Sequence, residues 1–228
     1  LAAIHAAREI RIIHEGLTPD GRRMTADQYG TVRFFDVKTG KQIEVVGPVR
    51  AEVGCEAVSL DGRFSLGHDE RGHAIWEHAN RTEVCRLEED DYFDAVTFSP
   101  NAQYLAALTE GSPAVRLWSC QTGKLLLSAG DVWGPYSIMF SPDSRMLVVN
   151  GSKSDYAEEE PAEIGVVYLW DLETFGLMHT VEGHGVYPKL KFSADGRQLA
   201  IHDRGNIFVY GTDNWELAPT LEEKDLGI

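Results

Sequence analysis

Cysteine is scarce in this 228-residue chain: Cys55, Cys85 and Cys120 are odd in number, widely spaced and set in strand-like contexts. That pattern excludes a disulfide framework and reads as reduced core or near-core thiols of a cytoplasmic protein. No stretch approaches the ~20 apolar residues of a membrane-spanning helix, and no secretory leader pattern stands at the start. A glycine-rich phosphate loop, a nucleophile elbow and a paired-cysteine motif are all missing, so no cofactor is expected. Positive charge is also short. With 21 Lys and Arg against 36 Asp and Glu the net charge is −15, a poor match for nucleic acid, which is held by basic groups that displace counterions.

What is present is a repeat. A turn signal reads Leu17-Thr18-Pro19-Asp20-Gly21-Arg22, then recurs at Val58-Ser59-Leu60-Asp61-Gly62-Arg63, Phe98-Ser99-Pro100-Asn101-Ala102-Gln103, Phe140-Ser141-Pro142-Asp143-Ser144-Arg145 and Phe192-Ser193-Ala194-Asp195-Gly196-Arg197. Between the Asp or Asn positions the steps are 41, 40, 42 and 52 residues, one unit of about 40 residues with a single insertion. The apolar residue closes a strand, the Asp or Asn bonds local backbone, and the following Gly takes the left-handed conformation of a tight hairpin. A second signal closes a β-rich run with an aromatic: Phe35, Trp76, Trp118, Trp170 and Tyr210. Their distance from the turn is 15 residues in the first, second and fifth copies, 17 in the third and 27 in the fourth. Every insertion therefore falls between the second and third strands. Lys38-Thr39-Gly40-Lys41 and Gln121-Thr122-Gly123-Lys124 are turns into a fourth strand.

Four short antiparallel strands per unit, a Ser-Pro-Asp-Gly-like turn and a Trp-Asp-like ending resemble the blades of a WD40 β-propeller. The expected fold is all-β, with five recognisable four-stranded blades at approximately 16–47, 48–88, 89–130, 131–183 and 184–228. Only Trp170-Asp171 keeps the dipeptide, and Gly183-His184 is the one well-placed Gly-His. The resemblance implies a buried network of a His, an Asp before the third strand and a Trp. Here His184 would meet Asp203, with Tyr210 where Trp belongs. Propellers of this kind usually close with about seven blades, and the chain begins at Leu1 rather than Met, so the expectation is part of a larger propeller or complex. Residues 1–15 read either as strands of a preceding blade or as a lead-in, with Ile10 to Leu17 the first strand of blade one.

The acidity is localised. Residues 1–50 hold eight basic and six acidic side chains, and the remainder 13 and 30. In a four-stranded meander the connections between strands two and three and between blades share one face. On that face fall Glu88 to Asp91, Glu158, Glu159 and Glu160 in the insertion, and Glu182; the opposite face carries Arg22, Arg23, Arg63, Arg145 and Arg197. The aromatic residues Tyr92, Phe93, Trp133, Tyr136 and Tyr187 also lie on the acidic face, at or just before first strands. Phe93 and Tyr136 read as packing between blades, and Trp133, followed by Gly134-Pro135, as an exposed anchor.

The resulting expectation is a non-catalytic protein-protein interaction scaffold binding a basic protein or peptide. Its partner-binding residues would be Tyr92, Asp94, Trp133, Tyr136, Glu158, Glu159, Glu160, His184 and Tyr187. Two alternatives stay open: a regulatory propeller domain of a signalling protein, and a propeller hydrolase using Asp94, Glu182 and His184. His68 and His73, facing across the Asp69 to Gly72 turn, are the only pair that invites a metal; their flanks are those of an ordinary hairpin. The insertion from Ser152 to Pro161 is acidic and without apolar periodicity, which predicts disorder until a partner binds.

Overall fold

The computed structural model describes residues 11–18, 20–48, 54–87, 93–109, 114–154, 163–185, 187–218 and 221–222. Twenty strands form five separate four-stranded antiparallel sheets, each a meander, and no helix occurs among the described residues. The chain is a WD40-like β-propeller built of such blades. It divides into two compact units: residues 1–90 with 121–123, and residues 91–120 with 124–228.

The first unit holds two blades. Blade 1 comprises β1 (Ile12–Leu17), β2 (Arg23–Asp27), β3 (Val32–Phe35) and β4 (Gln42–Val46); blade 2 comprises β5 (Gly54–Val58), β6 (Phe64–Asp69), β7 (Gly72–Glu77) and β8 (Thr82–Arg86). Because side chains alternate across a strand, one face of blade 1 presents Met24, Ala26, Val32 and Phe34, which pack with Val58 of blade 2. The backbone carbonyl of Gln28 accepts the Cys55 N–H at 3.0 Å, tying the two blades edge to edge.

The second unit holds three. Blade 3 is β9 (Phe93–Phe98), β10 (Tyr104–Thr109), β11 (Val115–Ser119) and β12 (Leu125–Ala129). Blade 4 is β13 (Ser137–Phe140), β14 (Met146–Ser154), β15 (Glu163–Asp171) and β16 (Leu177–His184). Blade 5 is β17 (Lys189–Phe192), β18 (Gln198–Asp203), β19 (Asn206–Gly211) and the two-residue β20 (Leu221–Glu222). Ala106, Leu108, Val115 and Leu117 of blade 3 meet Leu147, Val149, Tyr168 and Trp170 of blade 4. On the other face of blade 4, Val148, Val167 and Leu169 meet Leu199 and Ile201 of blade 5. The single long insertion extends β14 and β15 to nine residues each, in register out to Ser154 opposite Glu163. Ser152 to Ser154, expected to be disordered, are therefore strand, because ladder pairing continues beyond the core; residues 155–162 lie outside the described residues.

The repeated turn works by one hydrogen-bond relay. In blade 2 the Ser59 hydroxyl donates to Asp61 Oδ1 at 2.7 Å, that same oxygen accepts the Arg63 N–H at 3.0 Å, and the Phe64 N–H donates back to Ser59 Oγ at 2.9 Å. Ser99 with Asn101, Ser141 with Asp143 and Ser193 with Asp195 repeat the hydroxyl-to-carbonyl contact at 2.7, 2.6 and 2.6 Å. The next residue is left-handed in all five copies: Gly21, Gly62 and Gly196, but also Ala102 at φ 57° and Ser144 at φ 61°. Ser144 gains something from its side chain there, since its Oγ accepts the Asn101 N–H of the preceding blade at 3.1 Å.

No disulfide joins the described cysteines; Cys120 is buried and Cys55 and Cys85 half-buried. Burial, followed by the nearby Asp27 and Glu56 charges, pushes the Cys55 thiol up to about 12, which keeps it protonated and unreactive. No described helix is long and apolar enough to cross a membrane.

Candidate functional site

The connections into β13 and β17 lie at the same end of neighbouring blades, and each presents an aromatic ring to solvent. Trp133 is 63% exposed and Tyr187 66%. The backbone beneath each ring is fixed.

Trp133 is held by its backbone. Its carbonyl accepts the Ser152 N–H at 2.9 Å, and its own N–H points to the Tyr168 hydroxyl at 3.4 Å. The approach is so close that a Cβ on Gly151 would stand 2.2 Å from the Trp133 carbonyl oxygen. A Cβ on Gly134, at φ +46°, would meet Ser152 Oγ at 2.9 Å. Only glycine at these positions lets the segment lie flat on β14.

Tyr187 is held by a loop of similar construction. The Gly185 N–H donates to Asp203 Oδ2 at 2.6 Å, and a Cβ on Gly185 would strike Asp203 Oδ1 at 2.4 Å. A Cβ on Gly165 of β15 would meet the Gly185 carbonyl at 2.3 Å. Asn150, 3% exposed, donates from Nδ2 to the Pro188 carbonyl at 3.0 Å and closes the loop. Tyr187 itself sits at φ +64° directly before proline, where a residue ordinarily takes an extended conformation. Its ring meets Tyr136 edge-on with centroids 4.7 Å apart.

Behind this loop lies the network implied by the family resemblance, in altered form. His184 is 6% exposed, its Nε2 lies 3.2 Å from the Tyr210 hydroxyl, and its ring rests on Phe208 at 4.5 Å. Burial lowers the His184 pKa, with the Asp203 charge opposing. Asp203 serves the Gly185 backbone. The corresponding carboxylates of the other unit choose arginine. Asp27 pairs with Arg33 at 2.9 Å while its other oxygen accepts the Tyr29 and Thr31 N–H groups. Asp69 is gripped by Arg86 at 2.8 and 3.0 Å, and this bond, with the Arg71 backbone, lowers it to about 2.

Of the expected contact residues, the structure brings Tyr136 and Tyr187 together and exposes Trp133, Tyr187 and Asp94. It places His184 behind the loop, 6% exposed and bonded to Tyr210. Phe93 packs edge-on to Trp118 at 6.3 Å. Tyr92, Glu88 to Asp90, Asp91 and Glu158 to Glu160 lie outside the described residues; Glu182 is exposed. On the opposite face the basic side chains are partly neutralised: Arg22 pairs with Asp20 and Glu44, and Arg23 with Glu15. His68 and His73 do face each other, with ring centroids 5.5 Å apart, but His73 is engaged by Glu56 at 2.9 Å and Asp69 by arginine. Among the described residues no group of three or more His, Cys, Asp or Glu is arranged to hold a metal. Asn150, Gly151 and Gly165 were missed by sequence reasoning. The one available signal was a polar Asn-Gly pair interrupting the apolar run Met146 to Val149.

No family model matches the chain. It is 27% identical over 157 residues to an uncharacterized WD repeat-containing protein of Deinococcus radiodurans, covering 64% of this chain and 59% of that protein. It is 25% identical over 173 residues to eukaryotic translation initiation factor 3 subunit I of Lodderomyces elongisporus, covering 70% of this chain and 47% of that protein. The chain thus spans about half the length of the curated relatives it matches. Among solved structures it resembles a chain of Kuenenia stuttgartiensis hydrazine synthase with a TM-score of 0.57 over 97% of this chain and 69% of the other. At 17% identity that likeness shows the fold alone.

Proposed function

We propose that this WD40-like β-propeller is a non-catalytic protein-interaction scaffold that docks a basic protein or peptide on the face carrying Trp133 and Tyr187. The observation that carries the reading is the pairing of exposure with fixation: two large rings, 63% and 66% exposed, stand on backbones clamped at glycines. A pre-organised aromatic loses little conformational entropy when it is covered, which is what makes such residues hot spots. Asp94, Asp131 and Glu182 are exposed in the same unit, and the net charge of −15 favours a partner of opposite sign. A relative that is by name a subunit of a translation initiation factor supports a place within an assembly. Cysteines that form no disulfide among the described residues suit a reducing compartment.

The test uses the purified chain against an array of lysine- and arginine-rich peptides. Trp133→Ala is expected to weaken the best binder by more than about 2 kcal/mol. Reversing the charges of Glu158 to Glu160 is expected mainly to slow association and reduce its salt dependence. Binding by both variants that matches the wild type would remove this face from consideration.

A further inference from the structure

Beside Tyr187 lie two buried polar groups whose hydrogen bonding among the described residues is incomplete. Asn150 Oδ1 is buried and finds no hydrogen-bond partner among the described residues. Its orientation is fixed, because the amide nitrogen on the other side of the same group donates to the Pro188 carbonyl at 3.0 Å. Turning the amide over would set two oxygens against each other, so a bare acceptor is what this position offers. The Tyr136 hydroxyl is likewise buried without a well-formed hydrogen bond among the described residues, although the Asn150 amide and the Tyr187 backbone lie beside it. Native interiors rarely leave such groups unpaired, and each exception calls for a functional or solvent partner.

The electrostatics of the corner select the sign of that ligand. Burial pushes the Tyr136 hydroxyl up to about 12, against hydrogen bonding from the Asn150 amide and the Tyr187 backbone and with the Tyr187 and Asp203 charges, so it stays protonated and neutral. Asp203, 15% exposed, is the nearby carboxylate. Its neighbouring cation, Arg204, is 78% exposed with Nε 4.0 Å from Asp203 Oδ1, an ion pair that solvent screens. Two tyrosine rings add their negative faces. An acceptor, a hydroxyl, a carboxylate and two π-faces together call for a cation that donates hydrogen bonds. The backbone of Tyr187 stays clamped while its ring, 66% exposed and in edge contact with Tyr136, is free to rotate about its side-chain bonds.

We infer that the corner formed by Tyr136, Asn150 and Tyr187 is a subsite for the cationic end of a partner's lysine or arginine side chain, admitted by rotation of the Tyr187 ring. This rests on the docking face proposed above and names the chemistry it reads. Asn150 Oδ1 and the Tyr136 hydroxyl accept N–H bonds from the entering group, Tyr187 closes over it, and Asp203 supplies the counter-charge.

The experiment titrates the full chain, labelled with nitrogen-15, with Nα-acetyl-arginine amide, Nα-acetyl-lysine amide and, as a neutral isostere of arginine, Nα-acetyl-citrulline amide. The readout is the pair of Asn150 side-chain amide signals. A saturable shift with one or both cations and none with citrulline supports the subsite, and the arginine and lysine arms decide between guanidinium and ammonium. Asn150→Leu and Tyr187→Leu are each expected to weaken that binding about fivefold or more, whereas Tyr187→Phe, which keeps the ring, binds as the wild type does. Tyr187 is exposed, so its variants fold even where Asn150→Leu does not. Absence of a saturable shift with either cation, or a citrulline response equal to that of arginine, overturns the inference. Trp133→Ala separates the two proposals. It lies outside the subsite and leaves the small-probe titration unchanged, so a failure of the peptide test at Trp133 alongside a saturable shift here would sink the docking face and keep the subsite.

Discussion

The hydroxyl of Tyr210 lies 3.2 Å from Nε2 of His184, where the family resemblance implied a tryptophan. The phenol reaches the imidazole in place of an indole, and the imidazole ring rests on Phe208 at 4.5 Å. The contact anchors the end of β16 immediately before the loop that carries Tyr187, so a structural bond in blade 5 bears on the candidate site.

Removing that hydroxyl tests the link. Tyr210→Phe keeps the ring and leaves a buried imidazole nitrogen without its partner, so it is expected to destabilise the fold by about 1 to 2 kcal/mol. Urea unfolding at pH 7.5 checks the magnitude. Faster hydrogen exchange at Gly185 and Tyr187, relative to blade 1, checks the route.

Acid should act in two separate windows. Burial lowers the pKa of both His78 and His184 below 6.5. The folded state then binds fewer protons than the unfolded chain, so their contribution is fully present above pH 6.5 and declines as pH falls through the folded values. The carboxylates of Asp20, Asp36, Asp69, Asp171 and Asp195 are lowered from 3.8, with Asp69 at about 2. Their contribution is present above 3.8 and is lost below it. Urea midpoints measured from pH 8 to pH 5 should fall only below about 6.5, and His78→Leu should flatten that decline. A midpoint that rises on acidification through this range would contradict the assignment.

At the third repeat turn, Ala102 occupies the left-handed position at φ 57° that glycine fills in three other copies. The strain of about 1 to 2 kcal/mol in a non-glycine residue there outweighs the greater chain entropy glycine loses on folding, about 0.5 to 1 kcal/mol. Ala102→Gly is therefore expected to stabilise the protein modestly, seen as a higher melting temperature. Ser144→Gly, at φ 61° in the fourth turn, should gain less, because it forfeits the Asn101 N–H bond.

Gly151→Ala should displace Trp133 rather than unfold blade 4. Its Cβ would stand 2.2 Å from the Trp133 carbonyl, and the segment must lift to make room. The expected result is a gain in steady-state mobility of Trp133 by fluorescence anisotropy, in a background where the other four tryptophans are phenylalanine, together with weaker peptide binding.

Much of this was legible beforehand for local reasons. The Ser-x-Asp relay spans only a few residues, so its residues announce the hairpin wherever they occur. Strand alternation in Val167 to Trp170 declares two buried faces. The left-handed turn before each fourth strand was legible at Gly40 and Gly123, but not at Arg81, Phe175 and Trp215, which adopt the same conformation. Phe175 reaches Tyr104 of the preceding blade at 6.2 Å, and Trp215 stacks on His179 at 5.3 Å. Contacts that lie 71 and 36 positions apart in the chain leave no local trace.

The sequence by itself determined the repeat, the four-stranded blade and the turn between the first and second strands of each blade, because backbone hydrogen bonding and side-chain alternation are settled by neighbours along the chain. Only the tertiary structure decided which polar residues serve one another. Asp27 and Asp69 take arginines while Asp203 takes a backbone N–H, and Tyr187 meets Tyr136 edge-on across two blades. Those choices depend on the distance between side chains of separate strands and blades, a quantity fixed by packing.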